Sequence, residues 1–257
     1  MMYLLKAVGL YGLGFVFVAV LAGCGDAGER FFIVQNQVPE GGCVIPGAKS
    51  ALYRGSGRLD VGLVNASAVT GYRLFPLLQN DLPALGQAGG TEPNRLSLRE
   101  FRVHLELAPG APQALVDLFA SPYLAPYLAY SQPWSGTLDP GGGTLAAGVT
   151  VVPAEVARQI DATGVLDTLS SVGLTARVRA IGDTLDDTFE SREFVYPISA
   201  CKYCLVSYLA SCPYDPVNTG NLCNVAQDDP VDCCSDGASL VCPARGASGT
   251  TTTTTTN

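Results

Sequence analysis

Apolar and polar residues alternate along much of this chain with the two-residue period of β-strands, and long one-sided helical patterns are scarce. Phe31–Gln37 runs from apolar to polar and predicts a first strand. In residues 59–65, Leu59, Val61 and Leu63 are separated by polar or small neighbours, which places one face on a core and one in water. Residues 71–78 form the next apolar stretch, and the two are expected to lie side by side as antiparallel strands. Leu96–Leu107 carries the clearest alternation. Val103, Leu105 and Leu107 share one face, while Arg102, His104 and Glu106 share the other.

Between the strands, residues 111–119 predict a short helix, and Pro153-Ala154-Glu155 reads as the first turn of another that continues to Ile160. Proline costs nothing in a first turn, because its missing N–H has no helical partner there. Small and β-branched residues over 144–152 predict a strand, and 174–181 and 189–198 predict a hairpin joined through 182–187. About seven strands without βα alternation predict an all-β fold, an antiparallel β-sandwich of immunoglobulin-like topology. A distorted barrel is the second topology that the pattern admits.

At Cys201 the character of the chain changes. Seven cysteines fall within 201–242 among Pro, Asp and Asn residues, with little apolar periodicity. A segment of about 40 residues builds too small a core to stand alone, so bridges must hold it. Adjacent Cys233 and Cys234 would form a strained ring if joined, so each needs a different partner. Cys43 has no neighbouring cysteine and can reach only this cluster, which staples a disulfide-rich module back onto the start of the β-domain. Thr250 to Thr256 lack the apolar content to fold.

At the other end, one basic residue, Lys6, precedes an apolar run over 7–21, and Leu21-Ala22-Gly23-Cys24 follows. About 15 apolar residues suit a signal-peptide core and fall short of a spanning helix. Leu, Ala, Gly and Cys in this order resemble the lipobox of bacterial lipoproteins. The resemblance implies cleavage before Cys24, a diacylglyceryl thioether on its sulfur and an acylated amine. An ordinary secretory signal cleaved near Gly23 is the competing reading. Gly25-Asp26-Ala27-Gly28 is small and polar, as a tether should be. The aspartate stands one place later than the usual inner-membrane retention signal, which favours the outer membrane. Beyond the lipobox, the layout loosely resembles Gram-negative lipoproteins that join an exported β-domain to a cysteine-rich end.

The expected organisation is a signal peptide (1–23), a tether (24–30), the β-sandwich domain (31–200), the disulfide-rich module (201–245) and a disordered tail (246–257). Nine cysteines become eight once Cys24 carries lipid: Cys43, Cys201, Cys204, Cys212, Cys223, Cys233, Cys234 and Cys242. An even number in an exported chain reads as a disulfide framework. The net charge of -8 argues against nucleic acid and against anionic lipid headgroups.

Catalytic chemistry is harder to find. His104 is the sole histidine and sits mid-strand without a nucleophile motif nearby. Cys201 and Cys204 have redox spacing but lack the βαβ context that a thioredoxin-like motif needs. Carboxylates gather at Asp183, Asp186, Asp187 and Glu190, and again at Asp228, Asp229, Asp232 and Asp236, as calcium loops do, though without the EF-hand order. Tyr123, Tyr127, Tyr130 and Trp134 could line a carbohydrate or peptide platform, but spacing by three or four residues equally suits an amphipathic cover of the sandwich, and packing is the preferred reading. The expected protein is therefore a non-enzymatic, membrane-anchored lipoprotein of the cell envelope. No catalytic residue, metal or cofactor is assigned. It would sit on the periplasmic face or the cell surface, and its β-domain would be a structural or binding module, adhesion included, for protein or glycan ligands. The alternatives are an accessory subunit of an envelope complex, or a thiol-redox or hydrolytic enzyme.

Overall fold

The computed structural model describes residues 30–67, 71–86, 91–212, 218–221, 223–235 and 240–242. The lipobox with Cys24, Asp236 and the threonine tail lie outside the described residues.

Strands dominate. In chain order they are β1 (Phe31–Gln37), β2 (Tyr53–Arg54), β3 (Gly57–Asp60), β4 (Gly71–Leu74), β5 (Pro76–Asn80), β6 (Leu96–Leu107), β7 (Ala129–Leu138), β8 (Gly143–Ala146), β9 (Val149–Pro153), β10 (Val172–Asp183), β11 (Thr188–Glu190), β12 (Phe194–Cys201), β13 (Val206–Ser211), β14 (Val231–Ser235) and β15 (Leu240–Val241). Among the described residues four short α-helices interrupt them: α1 (Val61–Ser67), α2 (Gln113–Phe119), α3 (Ala125–Leu128) and α4 (Ala154–Ala162). Among the described residues no helix is long and apolar enough to cross a membrane.

The largest sheet has the order β3-β12-β10-β6-β7, with β11 folded back onto β10. Its centre is antiparallel, and only the β3–β12 pair runs parallel. The second sheet is β2-β1-β5-β8, and β4-β9 and β13-β14-β15 form two smaller ones. Phe31, Ile33 and Leu78 from the second sheet share one apolar cluster with Leu96, Phe101, Val103, Val178 and Ile198 from the first.

The alternation read in β6 holds, with a correction. Leu96 and Leu98 point inward, and a bulge between Leu98 and Glu100 then shifts the parity so that Phe101, Val103 and Leu105 continue the buried face. An extra residue is what re-aims a strand in this way. In α4, Val156, Ala157 and Ile160 face the core and Glu155 sits in the first turn.

Four sequence expectations fail. Residues 189–198 are not one strand: they divide into β11 and β12, both of which pair with β10. Residues 59–65 do not form one strand: β3 ends at Asp60 and α1 begins at Val61. The carboxylate of Asp60 accepts the Leu63 amide at 3.1 Å, which caps the helix and turns the chain. The stretch over 71–78 divides into β4 and β5 in two different sheets, so the proposed side-by-side pair does not exist; β3 pairs with β12 and β4 with β9. Residues 144–152 likewise divide into β8 and β9, which join β5 and β4 respectively. In addition, β7 has no clear signal in the sequence, because Pro133 and several small polar residues hide it. An edge strand tolerates proline, whose missing N–H can face away from the ladder.

Candidate functional site

All eight cysteines expected to be oxidised are joined in four disulfides: Cys43–Cys223, Cys201–Cys204, Cys212–Cys234 and Cys233–Cys242. Cys43 does reach the C-terminal cluster, across a sequence separation of 180. Neighbouring Cys233 and Cys234 do take separate partners.

Immediately after Cys223 the chain enters the cleft between β3 and β4. Its backbone bonds to both sides of Leu59, with Asp60 N donating to Ala226 O at 2.8 Å and Asp228 N donating to Arg58 O at 2.9 Å. The side-chain amide of Gln227 then imitates a strand partner for Arg73. It accepts from Arg73 N at 2.9 Å and donates to Arg73 O at 3.1 Å, where the β4–β9 register shifts. The cysteine-rich region thus supplies a seam between two sheets of the β-domain.

Asp228 ends this seam with its side chain only 4 % exposed. Its carboxylate accepts the Arg58 amide at 3.0 Å and the Tyr72 hydroxyl, and the Arg54 guanidinium lies 3.7 Å away while pairing with Asp229. Behind Tyr72 the order continues: Tyr196 lies 3.1 Å from the Tyr72 hydroxyl, and Asn36 Nδ2 donates to the Tyr196 hydroxyl at 2.9 Å. A phenol has one proton to give. With Tyr72 committed to Asp228, every donor in the series points toward the carboxylate. Burial pushes the Asp228 carboxyl up to about 6 and the Tyr196 hydroxyl up to about 12, and raises Tyr72 well above its ordinary value.

The sequence does not reveal this constellation, since in it Asp228 is one member of an acidic loop. Chemically it can hold or release a proton at Asp228. Its burial makes it a joint rather than a substrate site.

The outer face of the largest sheet is the opposite in character. Arg102 stands directly across from Arg179, and Glu190 bridges the two at 3.2 and 2.8 Å. Arg177 pairs with Glu106 at 3.0 Å and with Glu193 at 2.7 Å, while Arg99 reaches Asp183 at 3.3 Å. His104 lies on this face, half exposed, with Nδ1 3.2 Å from Glu106. At the end of β6 the face meets a groove of about 480 Å³ lined by Leu107, Pro109, Val116, Phe119 and Leu128, with His104 and Glu106 at its rim.

The remaining sequence candidates are scattered. In the first acidic group Asp183 pairs with Arg99 and accepts from Thr188 at 2.6 Å, and Glu190 bridges Arg102 and Arg179; in the second, Asp232 accepts from Ser207 and Asn218. Among the described residues no three His, Cys, Asp or Glu side chains gather as metal ligands. Tyr130 and Trp134 pack inward, the first bonding to Thr150 O and the second edge-on to Phe101. Tyr123 and Tyr127 stay outside as a tilted pair 6.4 Å apart.

No family model, no curated protein and no solved structure matches this chain.

Proposed function

We propose that the protein is a lipid-anchored lipoprotein of the bacterial cell envelope, held by Cys24, whose β-domain is a non-enzymatic binding or structural module. The observation that carries this reading is the complete pairing of the eight remaining cysteines. Such a framework belongs to an oxidising compartment, which is where a lipobox would deliver the chain. In the same reading, the β1- and β6-containing sheets are the two leaves of an immunoglobulin-like sandwich; their shared apolar cluster supports it. The ladder of arginines and carboxylates on the outer face then serves as the recognition surface, turned toward protein or glycan partners.

Fractionation of bacteria producing the full chain and its Cys24→Ser variant tests the anchor. The parent should sediment with membranes and incorporate an alkyne-tagged fatty acid, and the variant should do neither. Equal membrane association without label in the parent would overturn the lipoprotein assignment. Protease digestion of intact and lysed cells separates surface display from a periplasmic position: cleavage on intact cells supports adhesion or recognition outside, and protection until lysis removes it.

A further inference from the structure

The four disulfides are not equivalent. Three close sequence separations of 180, 22 and 9, whereas Cys201–Cys204 spans a separation of only 3. Closing so short a loop removes little freedom from the unfolded chain, so this bond contributes least to the fold. Its two ends also differ in access. Cys201 is 2 % exposed at the end of β12, while Cys204 is the one cysteine among the eight that stands exposed.

The loop between them is held by other means. Asp60 accepts Tyr203 N at 2.8 Å through one oxygen and Leu205 N at 2.9 Å through the other. Lys202 Nζ pairs with Asp161 at 3.0 Å and Asp167 at 2.8 Å, which ties the loop to α4 and the turn beyond it. The ring of Tyr203 lies so close over Gly62 that a Cβ there would fall 2.7 Å from it. None of these contacts requires the sulfur–sulfur bond. A reduced Cys201 would also find an acceptor waiting, because Leu59 O is 3.5 Å from its Sγ, within reach of a weak S–H donor.

We propose that Cys201–Cys204 is a thiol–disulfide exchange site, entered at Cys204 by the thiolate of an external dithiol. The incoming thiolate attacks Cys204 Sγ and forms a mixed disulfide there. The Cys201–Cys204 bond breaks, and Cys201 Sγ leaves with the electron pair and takes a proton from water. The second thiol of the dithiol, as thiolate, then attacks the partner sulfur of the mixed disulfide and expels Cys204 thiolate. One dithiol is oxidised to a disulfide, and one disulfide of this chain is reduced by two electrons. The folded protein therefore cycles between two states with the β-domain intact. This inference is independent of the lipid anchor and of any recognition face.

The full oxidised chain, titrated with dithiothreitol, alkylated with a maleimide and mapped by mass, reads the order in which bonds open. Cys201 and Cys204 should be tagged first, while circular dichroism stays native and the other six cysteines stay blocked. Earlier opening of another pair, or opening of Cys201–Cys204 only as the fold is lost, would overturn the proposal. Single variants then read direction. In Cys201→Ser the thiol at Cys204 should react with a disulfide reagent at least about tenfold faster than the thiol at Cys201 does in Cys204→Ser, following access. Equal rates, or the reverse order, would reject entry at Cys204. If either variant fails to fold, the mapping of the parent chain decides alone.

Discussion

The hydroxyl of Tyr72 lies 3.0 Å from one carboxylate oxygen of Asp228 and 3.1 Å from the other, across 156 residues of sequence. Tyr72 belongs to β4 and Asp228 to the seam that follows Cys223, so this contact joins the β-domain to the cysteine-rich end through a buried charge. Removing one partner from a buried ion costs more than the bond itself is worth, because the survivor keeps its desolvation penalty. Tyr72→Phe should therefore lower stability by about 1–3 kcal/mol, read as a shift in the urea midpoint without a change in slope.

The same burial sets a pH dependence. Asp228 titrates at about 6 in the folded chain, against roughly 3.9 in an unfolded one. Between those limits the folded state binds the proton more tightly. Stability therefore falls as pH rises through 6 and returns as pH drops toward 5. The gain from pH 7.5 to pH 5 is about 1 kcal/mol from this group. Burial raises Asp60 as well, which adds in the same direction. The hydrogen bond from Tyr123 holds Glu155 down at about 2, and Arg177 lowers Glu193; these act oppositely, but only in more acid solution. Thermal melts over this window should rise toward pH 5. Asp228→Asn, which also accepts the positive φ of 67° at this position, should flatten the slope.

Gly57 is the second constraint on the joint. A Cβ on this residue would stand 2.3 Å from the Tyr72 hydroxyl and 2.4 Å from the adjoining ring carbon. Gly57→Ala must push a buried ring off its partners. An overpacking loss of about 1–3 kcal/mol is expected, and it should be accompanied by a stronger pH dependence, since moving Tyr72 away removes a donor that favours the Asp228 carboxylate and lets burial raise it further. An unchanged melting curve would mean that the ring yields without loss.

The sequence made visible those elements whose pattern is set by one face. β6 and β10 alternate because one side meets the core and the other carries arginines and acids, and α4 shows its buried residues at helical spacing. β3 and α1 read as one strand in the sequence because Leu59, Val61 and Leu63 fit a strand as well as a helix entered at Asp60. What decides is the Asp60 carboxylate, whose partners Tyr203 and Leu205 lie more than 140 residues away. The Cys43 partnership follows by elimination only where Cys24 is set aside for lipid, since every remaining cysteine lies within 201–242. The Asp228 joint does not, because nothing local separates a buried aspartate from its exposed neighbour Asp229. Only long-range packing makes that distinction.

Asp60 yields a prediction of its own. Its two oxygens satisfy Leu63, Tyr203 and Leu205 amides, which links the start of α1 to the Cys201–Cys204 loop. Asp60→Ala strands buried donors and removes a helix cap, for a combined loss of about 2–4 kcal/mol. Hydrogen exchange should accelerate at the Tyr203 and Leu205 amides and in the first turn of α1, while the β6–β10 ladder stays protected. Uniform acceleration over the whole sheet would instead mean that the carboxylate supports global stability and does not act locally.

The disulfides allow a sharper comparison, because loop length separates their effects. Replacing Cys43 and Cys223 by serine reopens a loop with a sequence separation of 180, for which the chain-entropy model gives a loss of up to about 5 kcal/mol. The same exchange at Cys201 and Cys204 reopens one with a separation of 3, worth about 2 kcal/mol at most. Denaturant midpoints should rank the variants accordingly. The first variant also frees the end of the seam that places Gln227 on Arg73, so exchange at the Arg73 amide should rise with it. In the second variant that amide should stay protected, because the seam remains tied through Cys43. If both variants lose the same stability, native strain outweighs loop entropy, and the short bond holds more of the fold than its four-residue span implies.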